Sequence, residues 1–141
     1  MLLSRGMAFI QAGQEFLRSK NGEHNTYDLP DSVNSLKWDM LTENRDIAEY
    51  YRGLIALRRY FLSELGERVF EHIGGGFMMT AGDFVLLVSP RNEKLRPNLS
   101  GTFEVLADRE SASYKPLYVT DELCCEGYSI LLARKREVAN L

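Results

Sequence analysis

Cysteine is scarce in this chain: of 141 residues only Cys124 and Cys125 are cysteines, and they are neighbours. Adjacent cysteines form a strained and rare disulfide, and no second pair stands at metal-ligand spacing. The sequence therefore implies two thiols in a reduced setting, with no disulfide framework and no metal site. Basic charge is also lacking in excess, with 17 Lys and Arg against 20 Asp and Glu and a formal net charge of -3. Scattered as they are, these cations leave no electrostatic footprint for a nucleic acid and give no support for a membrane surface. No apolar run approaches the roughly 18 residues that a spanning helix needs. The opening MLLSRGMAFIQAG has no basic leader, and Arg5 and Gln11 interrupt it, so it reads as mature structure rather than a signal peptide. Internal repeats, low-complexity tracts and cofactor fingerprints are absent, and no cofactor is implied.

What is present falls into two halves. MAFIQA, Met7 to Ala12, is short, apolar on both faces and bounded by Gly6 and Gly13, as a strand buried in a parallel sheet would be. From Glu15 to Asn44 the chain is polar, with Gly22 and Pro30 and no sustained period. A connection of that length in a compact fold is functional or disordered. Asn44 can cap a helix, Asp46 suits its first turn, and Ile47, Tyr51, Leu54, Ile55, Phe61 and Leu62 share one face, which predicts a helix over 45–62. The opposite face, with Glu49, Arg52, Arg58 and Arg59, reads as solvated. Beyond Gly66 the texture changes to RVFEHI, GFMMTA, DFVLLVS, TFEVLA, LYVT and YSILLARK, separated by turn residues, which predicts an antiparallel sheet or sandwich. Gly82 and Asp83 mark a hairpin. The expected fold class is α+β, with residues 1–62 as one βα element and residues 63–141 as an antiparallel all-β sandwich domain. A single βα unit cannot bury both faces of its strand, so its partners are expected in the sandwich, in another chain or in an upstream portion, the last needing the fewest assumptions.

RGMAFIQAGQEFLRSKNGEHNTYDLPDSVNSLKWD resembles the eighth strand and following loop of α-amylase-superfamily (β/α)8 barrels, in the type I pullulanase and debranching branch. The motif G-x-x-F-I-x-A-G-Q-E-F-L-R-S-K-N-G is followed by N-x-Y, then P-D-S-x-N, then Trp38 and EYYRGLIALR. Ala8, Thr26 and Asp28 depart mildly from the family's usual residues. The resemblance covers residues 5 to about 60, and the later strands more loosely resemble the β-domain that follows such barrels. It implies an enzyme that hydrolyses α-1,6 branch linkages in pullulan, glycogen or starch dextrins, of which this chain is a C-terminal portion. Its implied partners are the α-glucan and an upstream barrel portion; in isolation, residues 1–62 are expected to dock on the β-domain, to self-associate through the exposed faces of the barrel element or to be partly disordered. The family's catalytic carboxylates belong to earlier strands, the last in an N-x-H-D motif that this chain lacks, so no catalytic residue is assigned. A retaining glycosidase needs two carboxyl groups about 5 Å apart, one held protonated, and none of Glu15, Glu23, Asp28, Asp31 or Asp39 can be paired in that way from the sequence. The compartment is left open: the lack of a signal here favours a cytoplasmic setting, whereas a signal in an upstream portion would make the enzyme secreted.

Loops after barrel strands form the active-site face. By resemblance Asp31 in PDSVN accepts hydrogen bonds from sugar hydroxyls, and Asn34, Asn25 and Tyr27 are further substrate-binding candidates. An amide both donates and accepts, and a tyrosine ring can pack on a sugar face. The residue four after Asp31, basic or an amide in some relatives, is Ser35 here. From the residues alone, Asp31 after Pro30 serves equally to cap a turn. Glu15 reads as a structural hydrogen-bond partner, His24 as solvated, His72 as a surface or half-buried strand residue, and Trp38 as a hydrophobic anchor for the loop. The aromatics Phe77, Phe84, Phe103, Tyr114, Tyr118 and Tyr128 read mainly as core, so a non-catalytic carbohydrate-binding or interaction module is the competing assignment.

Overall fold

The computed structural model describes residues 1–64 and 66–136, with the side chains of 61–64 outside the description. Its elements are a short 3-10 turn, Gln14–Phe16, then α1 (Asp31–Asn34), α2 (Asp39–Glu43) and α3 (Arg45–Glu64). Six strands follow: β1 (Val69–Ile73), β2 (Gly76–Ala81), β3 (Phe84–Ser89), β4 (Phe103–Ala107), β5 (Tyr118–Thr120) and β6 (Ser129–Lys135). Each of the six apolar segments of the second half is thus a strand. The hairpin at Gly82 and Asp83 joins β2 to β3 through Ala81 paired with Phe84, with Gly82 at φ 55°, the left-handed region that glycine enters without cost.

The strands form one antiparallel sheet in the order β1-β2-β3-β6-β4-β5. β6 comes last in sequence yet lies between β3 and β4, which is why its middle, Leu131, Leu132 and Ala133, is apolar and buried without alternation. In β4 the register shifts between Val105 and Ala107. That bulge turns Leu106 and Ala107 together toward one core while Val105 faces the other.

Sandwich is the wrong word for what covers this sheet among the described residues, because no second sheet is present. One face packs Met78, Val85, Leu87, Val105 and Leu131 under two extended segments joined by the antiparallel bridge of Leu95 to Cys125. The other face packs Met79, Phe84, Leu86, Leu106 and Leu132 under α3. The segments between β3 and β4 and between β5 and β6 are too short of paired backbone to build strands of their own, and α3 supplies the apolar stripe that a second sheet would have provided.

Helix α3 spans the segment predicted from periodicity, but its seat on the sheet differs from the predicted face. Leu57 is fully buried against the sheet, with Leu54 and Tyr60 beside it. Ile55 is 39% exposed. Tyr51 turns instead toward the N-terminal loop, where its hydroxyl accepts from Gln14 Nε2 at 3.2 Å. Two different neighbours, sheet and loop, divide the helix surface, so one averaged stripe blurs both. The calls on Phe61 and Leu62 lie outside the described side chains. Arg58, expected to be solvated, donates to the carbonyls of Leu2 (2.6 Å), Ser4 (2.8 Å) and Gly6. It clamps the N-terminal turn, its guanidinium fork supplying donors to three backbone carbonyls at once. Glu49 and Arg52 do form a solvated pair, 2.5 Å apart.

Met7–Ala12 is not a strand. It has no ladder partner among the described residues, and Met7 and Phe9 are 95% and 81% exposed. A strand needs a neighbour for its N–H and C=O groups, and none of the described residues pairs with it to supply one.

Candidate functional site

Between Gly13 and Asn44 the chain is more ordered than its composition suggests. Gly13 N–H donates to Glu15 Oε2 at 3.0 Å, which closes the 3-10 turn and makes Glu15 the structural partner expected of it. Phe16 is fully buried, and the ring of Trp38 lies against it with centroids 5.8 Å apart. Trp38 thus touches the buried Phe16 but remains 63% exposed, so it anchors the loop only in part. Asn44 sits at the start of α3 with its carbonyl accepting from Ala48 N–H at 3.1 Å. Its side chain does not cap that helix; it donates to Met40 O (3.0 Å) and Phe16 O (3.4 Å), which ties α2 and the 3-10 turn to the foot of α3.

The four predicted site residues fall into two kinds. Asn34, in the last position of α1, donates both amide hydrogens to backbone, to Thr26 O at 2.6 Å and Leu29 O at 2.7 Å. Its own carbonyl accepts from Arg18, and Lys20 donates to the hydroxyl of buried Thr26. Asn34 thus clasps the turn that carries Asn25, Tyr27 and Asp28 to the helix that carries Asp31, and its donors are not free for a ligand. Asp31, Asn25 and Tyr27 are the other kind. All three are exposed, Tyr27 to 85%, and none of their side chains has a hydrogen-bond partner among the described residues. Asp31 does not cap α1 with its carboxylate; only its backbone carbonyl is engaged, by Ser35 N–H at 2.8 Å.

A concavity of about 690 Å³ opens beside this loop, lined by Gln11, Gln14, Arg18, Lys20, His24 and Tyr51 among others. Its polar wall carries both donors and acceptors. Gln14, Arg18, Lys20 and Tyr51 went unnoticed in the sequence because each reads singly as a surface residue, and only the packing of the loop on α3 brings them together. Among the described residues, no group of three or more His, Cys, Asp or Glu could hold a metal ion, and no helix is long and apolar enough to cross a membrane.

Of the strand aromatics, Phe84 and Phe103 are buried, whereas Tyr114, Tyr118 and Tyr128 are exposed at the edge strand and turns. His24 and His72 are exposed, and both cysteines are free thiols, Cys125 buried. Burial raises the pKa of the Cys125 thiol above its ordinary value, against smaller opposing contributions from hydrogen bonds to Ser129 and the Ser89 backbone.

No protein-family model matches the chain. By sequence it is 44% identical over 59 residues to pullulanase of Bacillus subtilis (strain 168) and 37% identical over 59 residues to isoamylase of Flavobacterium sp. Each match takes in 42% of this chain and 8% of the relative, so the matched segment is a small part of those proteins. By structure it resembles the pullulanase from Bacillus acidopullulyticus, with a TM-score of 0.82, 21% identity, and coverage of 95% of this chain and 19% of that one. It also resembles the pullulanase from Paenibacillus barengoltzii solved in complex with maltohexaose and α-cyclodextrin, with a TM-score of 0.72, 27% identity, and coverage of 96% and 24%. In sequence over this segment and in fold over nearly its whole length, the chain is thus pullulanase-like, and it spans less than a quarter of the length of those relatives.

Proposed function

We propose that this chain supplies the last strand segment, substrate loop and helix of a (β/α)8 barrel, residues 1–62, and the β-domain that follows, residues 63–141, of an enzyme hydrolysing α-1,6 linkages in pullulan, glycogen or branched dextrins. The observation that carries this reading is the division of labour in the loop: Asn34 holds it shut, while Asp31, Asn25 and Tyr27 stand free. Polar groups fixed in position but left without partners are what a sugar subsite requires, since its hydroxyls need acceptors and donors already in place. The Asp31 carboxylate accepts from sugar hydroxyls, the Asn25 amide both donates and accepts, and the Tyr27 ring packs on a pyranose face. Asn34 is a positioning residue.

The catalytic pair lies outside this chain in the proposal. Glu15 is engaged by Gly13 N–H, and the remaining loop acids are on exposed turns and helix ends. Such sites do not hold one carboxyl protonated beside another at about 5 Å. The chain by itself hydrolyses nothing and binds sugar weakly. Titrating the purified chain with maltotriose and following Trp38 fluorescence tests the reading. A saturable millimolar change, lost in Asp31→Ala, is expected; no change, or hydrolysis of pullulan by the amylase-free chain, would contradict it.

A further inference from the structure

The 3-10 turn Gln14–Phe16 closes with Leu17 N–H donating to Gln14 O at 3.2 Å and Arg18 N–H donating to Gly13 O at 2.8 Å. This paired closure puts Leu17 where glycine is usual, at φ 61° in the left-handed region that L side chains rarely adopt. A strained residue is held here, and the side chain that follows it folds back over the turn. A Cβ built on Gly13, itself at φ 89°, would lie 2.7 Å from both Cβ and Cδ of Arg18 and 3.1 Å from Leu36 Cδ2. The stem of Arg18 crosses Gly13 because no side chain stands in its way.

The crossing brings the guanidinium between two segments. Its Nη1 donates to Ala12 O at 3.4 Å, at the end of Met7–Ala12, and its Nη2 donates to Asn34 O, in the last position of α1. Its Nε is shielded from solvent without a partner among the described residues, so a sugar does not reach that donor. Asn34 O is one of the last carbonyls of α1, which have no partner inside their own helix, and a guanidinium gives such a carbonyl a charge-assisted bond. Asp31 begins the same turn of helix, roughly 5 Å along its axis from Asn34. Ser35 N–H, donating to Asp31 O at 2.8 Å, closes that turn. Holding the Asn34 carbonyl therefore holds the backbone from which the Asp31 carboxylate extends.

We propose that Arg18 is a positioning residue for Asp31: it ties α1 to the end of Met7–Ala12 through two backbone carbonyls and so sets where the Asp31 carboxylate meets a sugar. The role rests on the proposed reading of Asp31 as a sugar acceptor; the bridge rests on the geometry of Arg18. Asn34 clasps the loop to itself, whereas Arg18 ties the clasped loop to the segment that precedes Gly13. A guanidinium fork spans two carbonyls, and an ammonium, a point charge, does not.

The test titrates the purified chain and its variants with maltotriose, following Trp38 fluorescence, and measures amide exchange through residues 31–35. Arg18→Ala is expected to weaken binding about tenfold and Arg18→Lys, which keeps one carbonyl of the two, about threefold, with faster exchange in both. Leu57→Ala, in the seat of α3, is the control for stability: it lowers the thermal midpoint and is expected to leave the affinity within about twofold. If Arg18→Ala unfolds, Arg18→Lys decides. Unchanged affinity in the Arg18 variants of a chain whose binding depends on Asp31 would overturn the proposal and leave the loop reading intact. Full affinity in Arg18→Lys would also overturn it, since the bridge would then be unnecessary. So would an equal loss in Leu57→Ala, which lowered stability alone would explain. Absence of Asp31-dependent binding in the parent chain would remove the loop reading and the role of Arg18 with it, whatever the exchange rates.

Discussion

Gly53 of α3 faces the Ala112 carbonyl so closely that a Cβ built on it would lie 1.9 Å from that oxygen. The helix can approach the 108–113 turn only because residue 53 has no side chain, and Tyr50 Oη completes the contact by donating to Asp108 O at 2.8 Å. Gly53→Ala would raise helix propensity by about 1 kcal/mol in isolation. Here the obstacle is backbone on both sides, so the expected outcome is a net loss of about 1–3 kcal/mol in chemical denaturation. A gain in stability would show that the approach of α3 is looser than described.

Leu57 is the pivot of α3 on the sheet, with no exposed surface. Leu57→Ala removes apolar area and leaves a cavity between helix and sheet, at a cost of about 2–5 kcal/mol. Ile55→Ala, two residues away on the exposed side, is expected to stay within about 0.5 kcal/mol. The pair of denaturation curves decides which face of α3 carries its seat.

Asn34→Ala leaves the carbonyls of Thr26 and Leu29 without their donor. Loss of about 1–3 kcal/mol is expected, together with faster hydrogen exchange through residues 26–34. Asp31→Ala, by contrast, is expected to leave stability within about 0.5 kcal/mol, because no partner loses a bond. If the two variants behave alike, the separation of positioning from binding residues fails.

Cys125 is buried under the Leu95 bridge, and that burial raises its pKa above the ordinary thiol value. In native protein a thiol reagent should therefore titrate Cys124 promptly and Cys125 only after unfolding. Because the folded pKa lies above the unfolded one, the linked stability is present below the ordinary thiol pKa and declines as pH rises through and beyond it. Alkaline midpoints of Cys125→Ala should fall less steeply than those of the parent chain.

Much of this was legible in the sequence. The six strands could be read because each is a short apolar run closed by Gly, Pro, Asn or Asp, and the turn at Gly82 and Asp83 leaves little freedom of register. The extent of α3 could be read from its period. What could not be read was which neighbour each side of α3 would meet: Leu57 and Ile55 are both aliphatic, and only the sheet distinguishes them. Met7–Ala12 failed for a related reason, since the pattern of a buried strand says nothing about whether a partner is at hand. In the loop, the motif drew Asp31, Asn34, Asn25 and Tyr27 together, but the engagement of Asn34 depends on carbonyls at Thr26 and Leu29 that carry no signature of their own.

The most direct measurement replaces the superposed portion of Bacillus subtilis pullulanase with this chain and assays pullulan hydrolysis by the hybrid. The chain covers 96% of its own length on that structure with a TM-score of 0.73, so the graft is geometrically defined. The account predicts an active hybrid whose KM rises roughly tenfold or more in Asp31→Ala, the loss of one or more hydrogen bonds to a charged acceptor. A folded hybrid without activity, or one indifferent to Asp31→Ala, would contradict it.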